Sequence, residues 1–450
     1  MRVGAFGVAR SGGTEILIAM VRNIVSWLSC VVLLGGAVGL LTASEINPPA
    51  NPPADQVIAI IGAQLIDGRG GEPLSDSVVV LRGERIEAVG QRGEVTIPEE
   101  AEVVRAEGLS LLPGLLDSHF HSRYNTTTPV TYQLNHGITS FRDPGHPLRF
   151  YDPVREATTP MPRVFLCGAH LDGPPPVWPD QAVVVVNAEQ ARRTVHAHVN
   201  RGASAIKVYF RLALPHIRAA CEAARERGVP VTAHLELVSV PDAIRAGVRG
   251  IEHVTSFGTA LARSEDVGRF TRAVRADSNA RRQLRHWLWS TIDLEGNPAL
   301  DSLVELLLTE RVTISPTLAI FERREGINGA TAADEAAFET MKKFIGICHR
   351  SGVPIVIGSH TSAPFAEKGR AYQREMELLL DCGMTPLEVI RAGTLDAARF
   401  LEVEPRLGTV EEGKLGDLVL VAGDPSKNLN AMKHVERVLL NGRWIRLPEK

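Results

Sequence analysis

Leu111-Leu112-Pro113-Gly114-Leu115-Leu116-Asp117-Ser118-His119-Phe120-His121 is the stretch on which the reading of this chain turns. An apolar run rises to Asp117 and then presents two histidines two positions apart. Read as a strand, the run points His119 and His121 to one face, because side chains alternate across a strand. Two imidazoles converging at a strand end make half a metal site. The plainer alternative is a pair of surface histidines, so the rest of the chain must supply the other ligands.

Working outward, strand candidates recur at 137–141, 163–167, 205–210, 229–234, 250–254, 312–316 and 354–358. Helical patterns lie between them, as at 214–227, 240–246 and 370–381. With the opening strand these make eight, and strands alternating with helices mean a parallel sheet. The expected fold class is therefore α/β, a (β/α)8 TIM barrel. The longest insertion, 261–308, is charged and helical. Its Arg281-Arg282-Gln283-Leu284-Arg285 reads as a solvated helix face rather than a binding patch.

Both flanks have a different texture. Val57–Leu65, 77–82 and 85–89 are short strands around the turn Asp67-Gly68-Arg69-Gly70-Gly71. At the far end come Leu418–Ala422, Val435–Leu440 and Arg443–Ile445, the last two joined by Asn441-Gly442, a strong hairpin signal. One small antiparallel β domain built from both chain ends is expected. The organisation is then 1–44 leader, 45–56 proline-rich linker, 57–112 first β part, 113–402 barrel and 403–450 second β part.

The leader has Arg22, an uncharged apolar run at 24–41, and Leu41-Thr42-Ala43-Ser44 after it. Basic flank, apolar core and small residues describe an export signal, and about 18 apolar residues also suffice for an uncleaved anchor. Translation from Met20 would give a more compact signal. The expected location is periplasmic or extracellular, with membrane contact only through this segment. At 450 residues, 44% hydrophobic and 22% charged, the chain is an ordinary globular protein. A net charge of −3 excludes an electrostatic nucleic-acid binder. Five scattered cysteines without a CxxC give neither a disulfide scaffold nor a cysteine zinc site.

Barrel enzymes place chemistry at the C-terminal strand ends. Those ends carry His119 and His121, Arg142 and Asp143, His170, Lys207, His234, His253 and, on the eighth, His360. Lys207 sits in the apolar strand Ala205-Ile206-Lys207-Val208-Tyr209-Phe210. A lysine there either snorkels at a sheet edge or is buried with a lowered pKa, as a neutral amine able to take up carbon dioxide. The resulting carbamate is an anionic ligand that can bridge two metal ions.

These pieces resemble the amidohydrolase superfamily of metal-dependent hydrolases, in its imidazolonepropionase-like and prolidase-like (Xaa-Pro dipeptidase) branch. The resemblance covers about 57–445. It is carried by 113–121, 137–143, 202–207, Ala233-His234, Ile251-Glu252-His253 and 407–418. It implies that His119 and His121 hold the more buried metal, carboxylated Lys207 bridges, and His234 and His253 hold a second ion. One or two divalent ions, zinc first, and a β-sandwich fold for the flanks follow from the same resemblance.

The eighth strand departs from the family pattern. Where the family has an aspartate that touches the metal and handles the proton of water, Gly358-Ser359-His360 places histidine. His360 can ligate and move protons near neutral pH. A neutral ligand also leaves two divalent ions less well compensated, which favours one. Asp143 or Glu236 are the alternative proton carriers; Glu367 and Glu375 lie too far along the chain. His170, Tyr209 and Thr317, with Arg142 and Asp143, are candidates for the substrate pocket. His196 and His198 form a second HxH, but on a helix such a pair diverges. His136, His146, His216, His286, His349 and His434 read as structural.

The expected activity is hydrolysis of an amide, cyclic amide or dipeptide C–N bond by metal-activated water. Alternatives are a lactonase or esterase, and an exported binding protein that has lost turnover. The partner is a small-molecule or dipeptide-like substrate. Subunit number, including a homo-oligomer, stays open.

Overall fold

The computed structural model describes residue 1, residues 45–122 and residues 133–446. The leader read at 1–44 falls outside these residues apart from Met1. None of the helices described is long and apolar enough to cross a membrane.

Strands from both chain ends form one eight-stranded sheet. From the N-terminal side come β1 (Val57–Leu65), β2 (Leu74–Arg82), β3 (Arg85–Gln91), β4 (Glu102–Arg105) and β5 (Leu109–Pro113). The order runs from the C-terminal strands Arg443–Ile445, Val435–Leu440 and Leu418–Ala422 through β5 and β1 to β2 and β3, with β4 also on β1. β1 is apolar from Val57 to Ile61 because that part is covered on both faces. Ile58 and Ile60 pack with Val79 and Leu81, while Val57, Ala59 and Ile61 pack with Val78 and Val80. The antiparallel expectation holds at both hairpins. It fails at β4 and β5, which run parallel to β1 and make the sheet mixed.

The parallel strands form two sheets. One holds β6 (Leu115–Asp117), β7 (Ile138–Asp143) and β8 (Arg163–Leu166). The other holds β9 (His170–Asp172), β10 (Ala182–Val184), β11 (Ile206–Val208), β12 (Val231–Ala233), β13 (Gly250–Glu252) and β14 (Thr313–Ser315). The eighth expected strand is reduced to a parallel bridge between Ile314 and Ile355. The next residues reach the first sheet, where Ser118 N donates to Ile357 O at 2.8 Å. β9 and β10 were not expected from the sequence: each is three residues long, too short for an alternation to show.

The opening stretch is two strands rather than one. Leu109–Pro113 pairs with Leu418–Ala422, whereas Leu115–Asp117 pairs with β7. The switch falls at Gly114, where a Cβ would lie 2.1 Å from Thr139 Oγ1. Gly114 N donates to Asp417 O at 2.7 Å and Leu115 N to Gly137 O at 3.0 Å, so the ladder partner changes between adjacent residues. His119 and His121 lie past the end of β6, in the loop that follows.

Candidate metal centre and cavity

A cavity of about 490 Å³ is lined by His119, His121, His170, Lys207, His234, His253 and His360, with Tyr209 beside them. Most of these residues sit in or just after β6, β9, β11, β12 and β13. The structure thus brings together side chains from widely separated positions. Ligand nitrogens of His119, His253 and His360 lie within 4.8 Å of one another, a group that can hold a metal ion.

Two of the histidines, His234 and His253, have one ring nitrogen hydrogen-bonded from behind, and His119 and His121 each have Nδ1 beside a carboxylate without a hydrogen bond. His119 Nδ1 lies 2.6 Å from Glu252 Oε2. His121 Nδ1 lies 3.6 Å from Asp143 Oδ1. His253 Nδ1 meets Thr317 Oγ1 at 2.7 Å, and His234 Nε2 meets Glu236 Oε1 at 3.1 Å. Anchoring one nitrogen on an acceptor puts the proton there and leaves a lone pair on the other, the arrangement typical of metal-bound histidine. Burial pulls His119 down to about 3 and His234 down to about 4, so both are neutral at physiological pH.

The fit to a cation follows from two of these histidines. His119 Nε2 and His121 Nε2 are 3.1 Å apart. Their Nδ1 atoms lie near carboxylates without hydrogen-bonding to them, and a short Nε2–Nε2 contact is one that a bound cation or a shared proton satisfies. His234 Nδ1 and His170 Nε2 are likewise buried with no hydrogen-bond partner. The donor set is nitrogen-rich and borderline-soft, which suits zinc and its neighbours.

Behind this layer lies a buried charge network that the sequence reading missed. Lys207 Nζ pairs with Glu252, whose other oxygen accepts from Arg142 Nη2 at 2.7 Å. Burial alone would raise the Glu252 carboxyl, but Lys207 and Arg142 hold it well below the usual range. Burial lowers Lys207, and Glu252 opposes that shift. Glu252 precedes His253 in an otherwise apolar strand, the same cue that singled out Lys207. Arg142 also donates from Nε to Ser118 O at 2.9 Å, so it braces the loop carrying the first two histidines.

Asp143 is a brace as well. Its carboxylate accepts from Tyr151 OH at 2.6 Å, meets His146 Nδ1 at 2.7 Å and receives Ser122 N and Gly145 N. Burial opposes ionisation, yet His146 and His121 hold Asp143 well below the carboxylate range. That makes it a fixed anion rather than a carrier of protons. His146 itself is no mere structural residue: it lines the cavity and, with His121 and Asp143, forms a second group of clustered ligand atoms. Arg142, Asp143 and Thr317 therefore stand behind the cavity wall, while His170 and Tyr209 face it, their rings 4.4 Å apart.

Backbone strain concentrates here. His253, Thr317, His360 and Thr361 all have positive φ, at 68°, 46°, 53° and 75°. Such conformations cost roughly 1–3 kcal/mol each for non-glycine residues and collect at functional sites. Gly358 allows the close approach behind them, since a Cβ there would lie 2.6 Å from His119 Cβ.

The reading of 281–285 as a solvated face is corrected. Arg281, Arg282 and Arg285 all line the cavity, and Arg281 is buried. Their helix, Ala280–Ser290, contains no acidic residue to pair three arginines, which was the available signal. His196 and His198 do lie on a helix, Ala188–Asn200, away from the cavity lining.

Residues 110–445 match the model of the Amidohydrolase family. The chain belongs to that family. This places it among hydrolases acting on carbon–nitrogen bonds. Over 70 residues it is 43% identical to the N-acyl-D-aspartate deacylase of Alcaligenes xylosoxydans xylosoxydans, a match spanning 15% of this chain and 13% of that protein. Among solved structures it is similar to a Xaa-Pro dipeptidase with methionine bound in its active site, at 20% identity and a TM-score of 0.66, covering 86% of this chain and 99% of that one. It is also similar to A. niger ochratoxinase, at 22% identity and a TM-score of 0.66, over 87% and 96% of the two chains. Identities this low speak for a shared fold.

Proposed function

We propose that this amidohydrolase cleaves the amide bond of an N-acyl amino acid or dipeptide-like substrate with a divalent ion, zinc in the first instance. The observation that carries the reading is the convergence of His119, His253 and His360 in a cavity where His121 Nε2 already faces His119 Nε2. The two parallel sheets, bridged through Ile314–Ile355 and Ser118–Ile357, are read as one (β/α)8 barrel with this cavity at its C-terminal end. The substrate class follows the deacylase and dipeptidase to which the chain is similar.

His119, His121 and His253 would hold the ion, with His234 and Lys207 beside them and the His360 imidazole left unbound, facing it. When bound, such an ion polarises a carbonyl and lowers the pKa of water towards neutrality. The chain's own residues do the rest. Thr317 and Glu236 fix the imidazole tautomers of His253 and His234, and Glu252 and Asp143 lie beside the imidazoles of His119 and His121. His360 moves the proton from the attacking water to the leaving amine, since Asp143 is locked by Tyr151 and His146. Tyr209, His170 and Phe321 line the space for the acyl and amine parts.

One ion per chain is the form favoured here. Glu252 is already balanced by Lys207 and Arg142, and a carbamate on Lys207 would set a second anion against it. The two-ion form bridged by that carbamate is the alternative. The test combines metal analysis, intact mass and a panel of N-acyl amino acids, dipeptides, cyclic amides and lactones. Zinc near one per chain with turnover of amides supports the reading. A metal-loaded protein inert on every amide, or one acting only on lactones, would overturn it.

A further inference from the structure

We infer that Arg281 and Arg285 form an anion subsite that takes the carboxylate of the substrate, a reading that rests on the proposed amide hydrolysis. The two residues are four apart in the Ala280–Ser290 helix and so share a face. Both line the cavity that holds the histidine cluster. Arg281 is buried, its Nε has no hydrogen-bond partner, and its nearest anion, Glu236 Oε1, is 3.9 Å away. Arg285 is half-buried, its Nε is also without a hydrogen-bond partner, and no carboxylate pairs with it among the described residues.

What holds these guanidinium groups is aromatic. Arg281 lies 5.0 Å from the Phe210 ring centroid and Arg285 4.7 Å from that of Phe321. Stacking fixes each plane and leaves the N–H edges for something else. Burial lowers Arg285 to about 10, which still leaves it charged at neutral pH. A buried charge without a counterion is costly. Of the two, only Arg281 has a carboxylate within 4 Å among the described residues, Glu236, which also meets His234; one anion for two guanidinium groups leaves them able to take an incoming carboxylate, which the planar fork matches best. The placement is also right for chemistry: Arg281 approaches Glu236, which in turn anchors His234. The subsite is therefore two side chains away from the metal ligands, close enough to seat the acid group of the amino acid whose amide bond is cut. The acid, the amide and the cleaved bond then lie in one cavity.

The test uses matched pairs of N-benzoyl amino acids and their carboxamides with small, aliphatic and aromatic side chains. Binding to the zinc-loaded full chain is read by calorimetry, with turnover scanned in parallel. The best acid is expected to bind roughly 30-fold tighter than its carboxamide, in the range of a charge-assisted pair. Arg285→Met and Arg281→Met should each bring that ratio to within about threefold, and Arg285→Lys should leave an intermediate ratio. Because Arg285 has no carboxylate partner to lose, Arg285→Met should melt at or above the temperature of the parent chain. Equal binding of acid and carboxamide, no binding of any acid, a preference that survives Arg285→Met, or stronger binding of inorganic phosphate would each overturn the subsite. Selective binding of acids without turnover would sink the hydrolase reading and leave the subsite standing. Turnover without acid preference would do the reverse.

Discussion

The imidazole of His360 lies flat over that of His119, with ring centroids 5.3 Å apart and planes 16° from parallel. The backbones are joined as well, His360 N donating to His119 O at 2.8 Å. The residue that departs from the family pattern is thus tied to the first residue of the motif. His360→Ala should lower turnover by about 10²–10⁴-fold, the range for losing a proton carrier, while zinc affinity changes by less than about tenfold. His360→Asp, which restores an anion there, should keep turnover within about tenfold of the parent. Competition with a zinc chelator and initial rates measure both. Unchanged turnover in His360→Ala removes the residue from the proposed proton transfer.

Glu252 is the hinge of the buried network. Glu252→Gln leaves Lys207 and Arg142 without their common anion, and breaking a buried pair this way costs about 3–5 kcal/mol. Urea denaturation of the metal-free protein reads this directly. A loss below about 1 kcal/mol would mean that Lys207 carries no positive charge in the fold, as a carbamate or a neutral amine would require.

How far the sequence was legible depends on the range of the signal. Seven of the eight parallel strands expected from the apolar runs are present, and β11 to β14 lie inside the ranges read from those runs, because burial on both faces leaves a continuous apolar pattern. Gly114 hid the break in the opening stretch, since a change of ladder partner leaves no mark on hydrophobicity. The cavity histidines were legible because most of them follow their strands directly. Glu252 and Asp143 were not given their roles, because a carboxylate's partner lies over 100 residues away in one case and in a short local loop in the other. The arginines of 280–290 were misread because a run of charge usually means solvent; which face of that helix is covered is a tertiary fact.

Asp143 Oδ1 lies 3.6 Å behind His121 Nδ1, an electrostatic rather than a hydrogen-bonded contact, and the carboxylate is itself held by Tyr151 and His146. Asp143→Asn keeps the size of the side chain but removes the charge that favours the Nδ1 proton on His121. Partners of this kind typically contribute 10–100-fold to metal affinity, so zinc retention should fall by about that factor. Tyr151→Phe removes one donor and should cost about 1–2 kcal/mol of stability, with a smaller effect on zinc. Equal zinc retention in Asp143→Asn and the parent would show that His121 needs no such brace.

Glu375 gives the fold a pH dependence separate from the cavity histidines. Its oxygens accept from Leu318 N at 2.8 Å and Ala319 N at 2.7 Å, holding the turn that follows Thr317. Burial nevertheless raises its carboxyl from 4.5 to about 8. Between those values the unfolded chain has already released the proton that the folded chain still holds, so unfolding releases a proton and is favoured by rising pH. Stability from this group is intact below about pH 4.5, falls as pH rises, and levels off above about pH 8, the whole change being on the order of 5 kcal/mol. Glu375→Gln should remove that slope while keeping a side chain able to accept from one of the two amides. Urea midpoints across the window, compared between the parent and the variant, measure it. A parent whose stability rises with pH from 5 to 8 by as much as the variant's would mean that the two amide donors outweigh burial and that Glu375 is ionised in the fold.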